Sequence, residues 1–285
     1  MIVHIDGQPI FFDVVGSKLI PDGAVMREKL TLVVLHGGPG FDHSGLRPGF
    51  DQFSDIAQVV YLDHRGNGRS VPSVSSTWTL ARWGDDIFQF CNALGIEKPV
   101  VLGQSFGGMV AQAYAIQHPG HAKALILSST AARMDIDASV ELIGRKGGNE
   151  AQRIAERFWR LGDEEAFADY VRVCMPLYNT TVAVEGVNSR ARAVMRTEVF
   201  QHFSLPDCEM RHMDFRDTLQ RVSCPVLVLA GAEDPITPPH LADEIFDRLQ
   251  AGLAQKRCYE DCGHGAFRDK PELVYDDIRR FLVSL

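Results

Sequence analysis

Val100-Val101-Leu102-Gly103-Gln104-Ser105-Phe106-Gly107-Gly108-Met109 decides the fold. A β-branched apolar run enters as a strand, a G-x-S-x-G turn follows at Gly103–Gly107, and the stretch from Met109 to His118 leaves as a helix. Strand, turn and helix in that order form the context of a nucleophile elbow, in which a strained turn presents the serine and small flanking residues let strand and helix approach. Gly103 and Gly107 fill the flanking positions, and Gly108 adds room. The turn sets Ser105 at a helix N-terminus, so the Phe106 N–H and the positive end of the helix dipole face the place where an oxyanion would develop.

Outward from the elbow, short strand-like runs recur at Phe11–Val15, Leu30–Leu35, Val59–Leu62, Ala124–Leu127, Val226–Ala230 and Lys256–Tyr259. Helical patterning follows at Thr79–Leu94, Pro239–Ala251 and Pro271–Leu285. That alternation predicts an α/β fold with a mostly parallel central sheet flanked by helices. The rhythm breaks between Ala132 and Arg216, where Ala151–Leu161, Glu164–Met175 and Val187–Val199 carry helical spacing and no core strand is evident. The expected organisation is a core over 1–131 and 217–285 with a helical cap inserted at 132–216. Phe158, Trp159 and Phe167 are expected at the contact between cap and core.

A serine hydroxyl is inert at neutral pH without a base, and the base needs an acid to orient it. Asp234 lies in the loop after the run Val226–Ala230, and His264 lies in the glycine-flanked loop Asp261-Cys262-Gly263-His264-Gly265 before the last helix. Ser105, Asp234 and His264 therefore occur in the order nucleophile, acid, base, and are the expected catalytic residues. The run Leu30–Leu35 leads into His36-Gly37-Gly38-Pro39-Gly40, whose glycines leave backbone N–H groups open to the nucleophile. Gly38 is expected as the second oxyanion donor beside Phe106, with Gly37 as the alternative donor and a substrate-binding position, and His36 is read as a brace for the loop. Phe41 and Phe106 are expected to line the substrate pocket. Asp63 and Arg65, in Asp63-His64-Arg65-Gly66-Asn67-Gly68-Arg69-Ser70, are expected to brace the oxyanion loop.

His36–Gly40, Asp63–Ser70, the Gly103–Gly108 elbow and Gly263-His264 together resemble the α/β-hydrolase superfamily, in particular its proline-iminopeptidase-like branch. The resemblance implies a serine hydrolase releasing N-terminal amino acids from small substrates with a free N-terminus. It also implies carboxylates that hold the amine, for which Glu198 and Glu233 are the candidates. The sequence departs from that branch with His64, Gln104, Phe106 and Pro235. Its elbow suits esterases, lactonases and amidases equally, so carboxylesterase or lactonase is the alternative. Cofactor-free haloperoxidases, carbon–carbon bond hydrolases and non-catalytic ligand-binding members of the fold share the same frame. The stretch 132–216 holds 14 acidic and 12 basic residues, no strong field for an amine.

The 285 residues are 45% hydrophobic and 23% charged with a formal net charge of −8, ordinary values for a globular chain and unfavourable for nucleic acid as a partner. The expected partner is a small molecule or short peptide, with no oligomeric state specified. Met1–Val15 has no basic region ahead of an apolar stretch, and the apolar runs fall short of the about 20 residues a membrane span needs. The six cysteines are too sparse for a disulfide scaffold, so free thiols and a cytoplasmic location are expected. Cys258, Cys262 and His264 form at most half a zinc site, Cys262 is read as inert, and no metal or cofactor is expected. The lone G-x-G at Gly66–Gly68 lacks the third glycine of a dinucleotide-binding turn.

Overall fold

The computed structural model describes residues 1–163, 165–181, 192–204 and 207–285. The chain opens with β1 (Ile2–Ile5) and β2 (Gln8–Val15), then a separate exposed hairpin of β3 (Leu19–Asp22) and β4 (Val25–Glu28). The core follows with β5 (Leu30–Leu35), β6 (Ala57–Leu62), α1 (Leu80–Ala93), β7 (Val100–Gln104), α2 (Phe106–Gln117) and β8 (Ala124–Ser128). After a helical segment containing α3 (Ile136–Trp159), α4 (Ala166–Asp169), α5 (Thr197–His202) and α6 (Glu209–His212), the core resumes. It ends with β9 (Val226–Gly231), α7 (Pro239–Arg248), β10 (Ala254–Tyr259) and α8 (Pro271–Val283).

Among the described residues, eight strands form one sheet in the order β1-β2-β6-β5-β7-β8-β9-β10, parallel from β6 to β10 and antiparallel where β1 and β2 join. Alternation along the strands sorts the core into two layers. Val33, Val101, Leu125 and Val228 point to one face, covered by Trp83 and Ile87 of α1, Val110 of α2 and Ile245 of α7. Leu32, Leu102, Ile126 and Leu229 point to the other, covered by Phe50, Phe53 and the α8 residues Val274, Ile278 and Phe281. Both faces are apolar because both are covered, which is why these strands read as continuous hydrophobic runs.

β1 and the β3–β4 hairpin add strands that the apolar rhythm did not announce, because they are short and mostly exposed. In the helical segment, α3 absorbs the expected helix at Ala151–Leu161 and bends at Gly148, whose φ of +76° favours glycine. Residues 166–178 run as α4 followed by irregular helical turns. Glu164 and residues 187–191 of the expected helices lie outside the described residues. Residues 193–196 are not helical, a correction to the expected Val187–Val199 helix. The Arg196 N–H goes to the Gly40 carbonyl at 2.6 Å, and its guanidinium goes to the Gly68 carbonyl at 2.9 and 3.0 Å. Contact with the core thus takes the backbone at Arg196, and α5 starts after it. A single antiparallel bridge joins Arg133 to Asp214 at the two ends of the segment.

Phe158 stacks on Tyr170 at 4.4 Å, and Phe167 meets Phe200 at 4.5 Å, in an apolar cluster continuous with the α1–α2 face of the sheet. Among the described residues, no helix is long and apolar enough to cross a membrane.

Candidate active site

Ser105 sits between β7 and α2 with φ 56° and ψ −121°, backbone angles that a side-chain-bearing residue holds only where its surroundings impose them. The surroundings are three glycines. A Cβ on Gly103 would lie 2.4 Å from the Gly107 carbonyl, one on Gly107 2.4 Å from the Leu35 carbonyl, and one on Gly108 2.6 Å from the Thr130 side chain. Strand, helix and the loop after β5 therefore touch backbone to backbone, and the serine N–H is pinned to the Ser128 carbonyl at 2.8 Å.

The three residues spaced across the sequence meet here. His264 Nε2 lies 2.8 Å from Ser105 Oγ, and His264 Nδ1 lies 2.9 Å from Asp234 Oδ2 and 3.1 Å from Oδ1. Asp234 is fully buried, and its oxygens also accept the Ile236 N–H at 2.8 Å, the Thr237 N–H at 2.9 Å and the Thr237 hydroxyl at 2.8 Å. A buried carboxylate held by that many donors has one orientation, and it fixes the imidazole facing it. The His264 loop is set by close approach. A Cβ on Gly231 would lie 2.2 Å from the Gly263 carbonyl and one on Gly263 2.0 Å from the Tyr178 carbonyl, while the His264 N–H donates to that Tyr178 carbonyl at 2.6 Å. Asp269 anchors the same loop through the Gly263 N–H, the Asn179 amide and the Thr181 N–H. Burial raises the Asp269 carboxyl pKa, and those donors more than reverse the effect, holding it below the usual carboxylate range.

His36 Nδ1 lies 2.7 Å from the Gly37 carbonyl, and its Nε2 accepts the His64 N–H at 3.1 Å, so the ring carries its proton on Nδ1. Across a planar trans peptide, C=O and N–H point opposite ways, so fixing the Gly37 carbonyl turns the Gly38 N–H away from His36. Gly37 abuts the serine, where a Cβ would lie 3.1 Å from Ser105 Cβ. Asp63 receives the His43 ring at 2.6 Å and the Arg69 N–H at 3.0 Å. Arg65 does not reach the oxyanion loop: it forms a two-point pair with Asp86 of α1 at 2.5 and 2.7 Å. Asn67, which the sequence reading passed over, holds the loop by accepting the Gly40 N–H at 2.7 Å while its amide donates to the Arg65 carbonyl at 3.0 Å.

Burial pushes the His36 and His64 rings below the ordinary histidine pKa, and for His64 the neighbouring His36 adds to the drop. A depressed folded-state pKa means that below about pH 6.5 the unfolded chain binds protons the folded chain refuses, so stability rises with pH there. The melting temperature is expected to fall as pH drops from 7 to 5, each ring contributing up to about 1.4 kcal/mol per pH unit. His64→Phe, which keeps the stacking on Trp83 at 5.4 Å, should show a shallower fall, and an unchanged slope would rule out His64 as a source.

A cavity opens over Ser105 and His264, walled by Gly37, Gly38, Phe41 and Leu46 of the core and by Trp159, Met175, Phe200 and Met210 of the helical segment. Phe41 lines it as expected, while the Phe106 side chain does not. That ring is buried at 1% exposure against Trp83 at 5.3 Å and Phe203 at 5.0 Å, so Phe106 offers the site only its N–H, the first of α2. Glu198 is exposed on α5, whose neighbouring Val199 and Phe200 turn inward, and it does not line the cavity. Glu233 is half exposed, 3.6 Å from Lys146, and does not line it either. Among the described residues the one carboxylate in the wall is Asp42, which pairs with Arg69 at 2.6 Å.

His264 spends both ring nitrogens on Asp234 and Ser105, which removes it from any set with Cys258 and Cys262. Burial pushes the Cys262 thiol up to about 11, so it carries little thiolate.

The family model described as the alpha/beta hydrolase fold matches residues 31–271. The chain is 28% identical over 294 residues to the proline iminopeptidase PfmaB of Pestalotiopsis fici, covering 98% of each chain. It is 26% identical over 256 residues to a putative carbamate hydrolase, RutD, of Caulobacter sp. (strain K31), covering 88% of this chain and 90% of that one. Among solved structures it is similar to a thermophilic esterase from Thermogutta terrifontis, with 26% identity, a TM-score of 0.71, and coverage of 97% of this chain and 94% of that one.

Proposed function

This chain belongs to the α/β-hydrolase family, and from that premise we propose that it is a serine hydrolase working through an acyl-enzyme. The observation that carries the proposal is the unbroken relay from Ser105 Oγ through His264 to buried Asp234. Ser105 attacks the substrate carbonyl carbon while His264 Nε2 takes its proton. Asp234 holds the imidazole in the Nδ1–H tautomer and stabilises the imidazolium, and the Gly38 and Phe106 N–H groups receive the oxyanion. The protonated His264 then gives its proton to the leaving group. In the second half, it activates a water that releases the acid and restores the hydroxyl. The relay runs without a cofactor. The segment 132–216 serves as the cap over the cavity, a role supported by Trp159, Met175 and Phe200 in its wall.

For substrate, the mostly apolar wall and the outward placement of Glu198 and Glu233 favour a small uncharged carboxylic ester or lactone. The second reading is an aminopeptidase or amidase for small substrates with a free N-terminus, which the end-to-end similarity to a proline iminopeptidase favours. A reducing, cytoplasmic setting is supported by six free cysteines.

The test compares short-chain p-nitrophenyl esters and a lactone with prolyl and other aminoacyl p-nitroanilides, using wild type, Ser105→Ala and Glu198→Gln. Ester or lactone turnover that needs Ser105 is expected, with Glu198→Gln within about twofold of wild type on every substrate, as for a surface change. Turnover confined to the anilides, lost on N-acetylation and weakened in Glu198→Gln, would establish the second reading instead.

A further inference from the structure

Gln104 stands one residue before Ser105 and is only 2% exposed. It lines the cavity, yet among the described residues neither its amide nitrogen nor its amide oxygen has a hydrogen-bond partner. Buried side-chain amides are nearly always bonded, because an unpaired donor or acceptor forfeits its hydration. β7 explains how the amide arrives there. Leu102 turns toward the α8 face, and Gln104, two residues on, leaves the strand on the same side. Its Nε2 comes to rest 3.2 Å from where a Gly265 side chain would begin, directly after His264. A donor and an acceptor thus lie side by side, next to both the nucleophile and the base.

We propose that Gln104 is a specificity-determining residue whose amide hydrogen-bonds a neutral hydroxyl or amide substituent near the carbonyl that Ser105 attacks. The inference rests on the serine-hydrolase reading. A hydroxyl matches the pair best, donating to Oε1 while accepting from Nε2, and an amide satisfies either atom. An ammonium substituent is disfavoured, since an uncharged amide leaves it uncompensated, whereas a carboxylate would meet Arg268 in the same wall. Plain alkanoyl groups leave both atoms of Gln104 unpaired, the situation in which polar sites discriminate strongly.

The test uses matched p-nitrophenyl esters: 3-hydroxybutyrate against butyrate, and N-acetylglycinate against pentanoate, with aminoacyl esters as the charged control. After correction for alkaline reactivity, wild type should favour the polar member of each pair by roughly 10–100-fold in kcat/KM. Gln104→Met, similar in length, should bring that ratio near one, leave the alkanoates within about threefold and melt no lower than wild type. A wild-type ratio of one, a preference for the aminoacyl esters, or an equal loss on both members of a pair with lowered melting would overturn the proposal. Dissociation constants of the four product acids, measured on Ser105→Ala with and without Gln104→Met, separate the two readings. If no ester is turned over, the serine-hydrolase reading fails, while the same 10–100-fold binding ratio still supports Gln104 and equal binding overturns it.

Discussion

Ser105→Ala is expected to lower kcat on the best ester by roughly 10⁴–10⁶-fold and to leave the protein folded. The size follows from the geometry: Oγ is the atom within reach of His264 Nε2 at 2.8 Å, and without it no acyl-enzyme forms. What remains is the contribution of the oxyanion donors and of substrate positioning, which do not depend on the hydroxyl. Stability should change by about 1 kcal/mol or less, since the backbone that holds the turn is fixed by the Ser128 carbonyl and the three glycines. Steady-state kinetics on the variant, with its melting curve, checks both statements. Retention of activity within tenfold would remove Ser105 from the chemistry.

Asp234→Asn is expected to cost about 10⁴-fold in kcat in a protein that still folds. The carboxylate accepts from His264 Nδ1, Ile236, Thr237 and the Thr237 hydroxyl, so the acceptor side of the site is saturated with donors. An asparagine keeps one acceptor oxygen and places an NH₂ among those donors. Turned toward His264, that NH₂ selects the imidazole tautomer with its proton on Nε2, which cannot take the serine proton. The loss should fall on kcat with KM nearly unchanged, because Asp234 is fully buried and lies outside the cavity wall. A loss appearing in KM alone would contradict the orienting role.

Where local chemistry dictates structure, the sequence was legible. Leu30–Leu35 is a strand from end to end, and Ser105, Asp234 and His264 converge as their chain order implied. What escaped depends on contacts between distant parts of the chain. Glu198 looked available in the linear text, yet inward-facing Val199 and Phe200 set the rotation of α5 and turn it to solvent. Glu233 adjoins Asp234, but only the buried Asp234 faces His264, while Glu233 pairs with Lys146 at the surface. Phe106 had to be separated into its N–H and its ring, the latter consumed by Trp83 and Phe203. Asn67 carried a faint signal as the polar residue between two glycines of positive φ, a place where a side-chain amide substitutes for backbone pairing. Gln104 carried its signal openly as a polar residue at the end of a buried strand, a pattern that asks for a partner.

The most direct test is intact-mass and peptide mapping after treatment with a fluorophosphonate, which reacts fastest with a serine activated by its own base. One adduct per chain is expected on the peptide containing Ser105, lost in His264→Ala as well as in Ser105→Ala. A folded wild-type protein that takes no label, or that still labels when Ser105 is alanine, would contradict it.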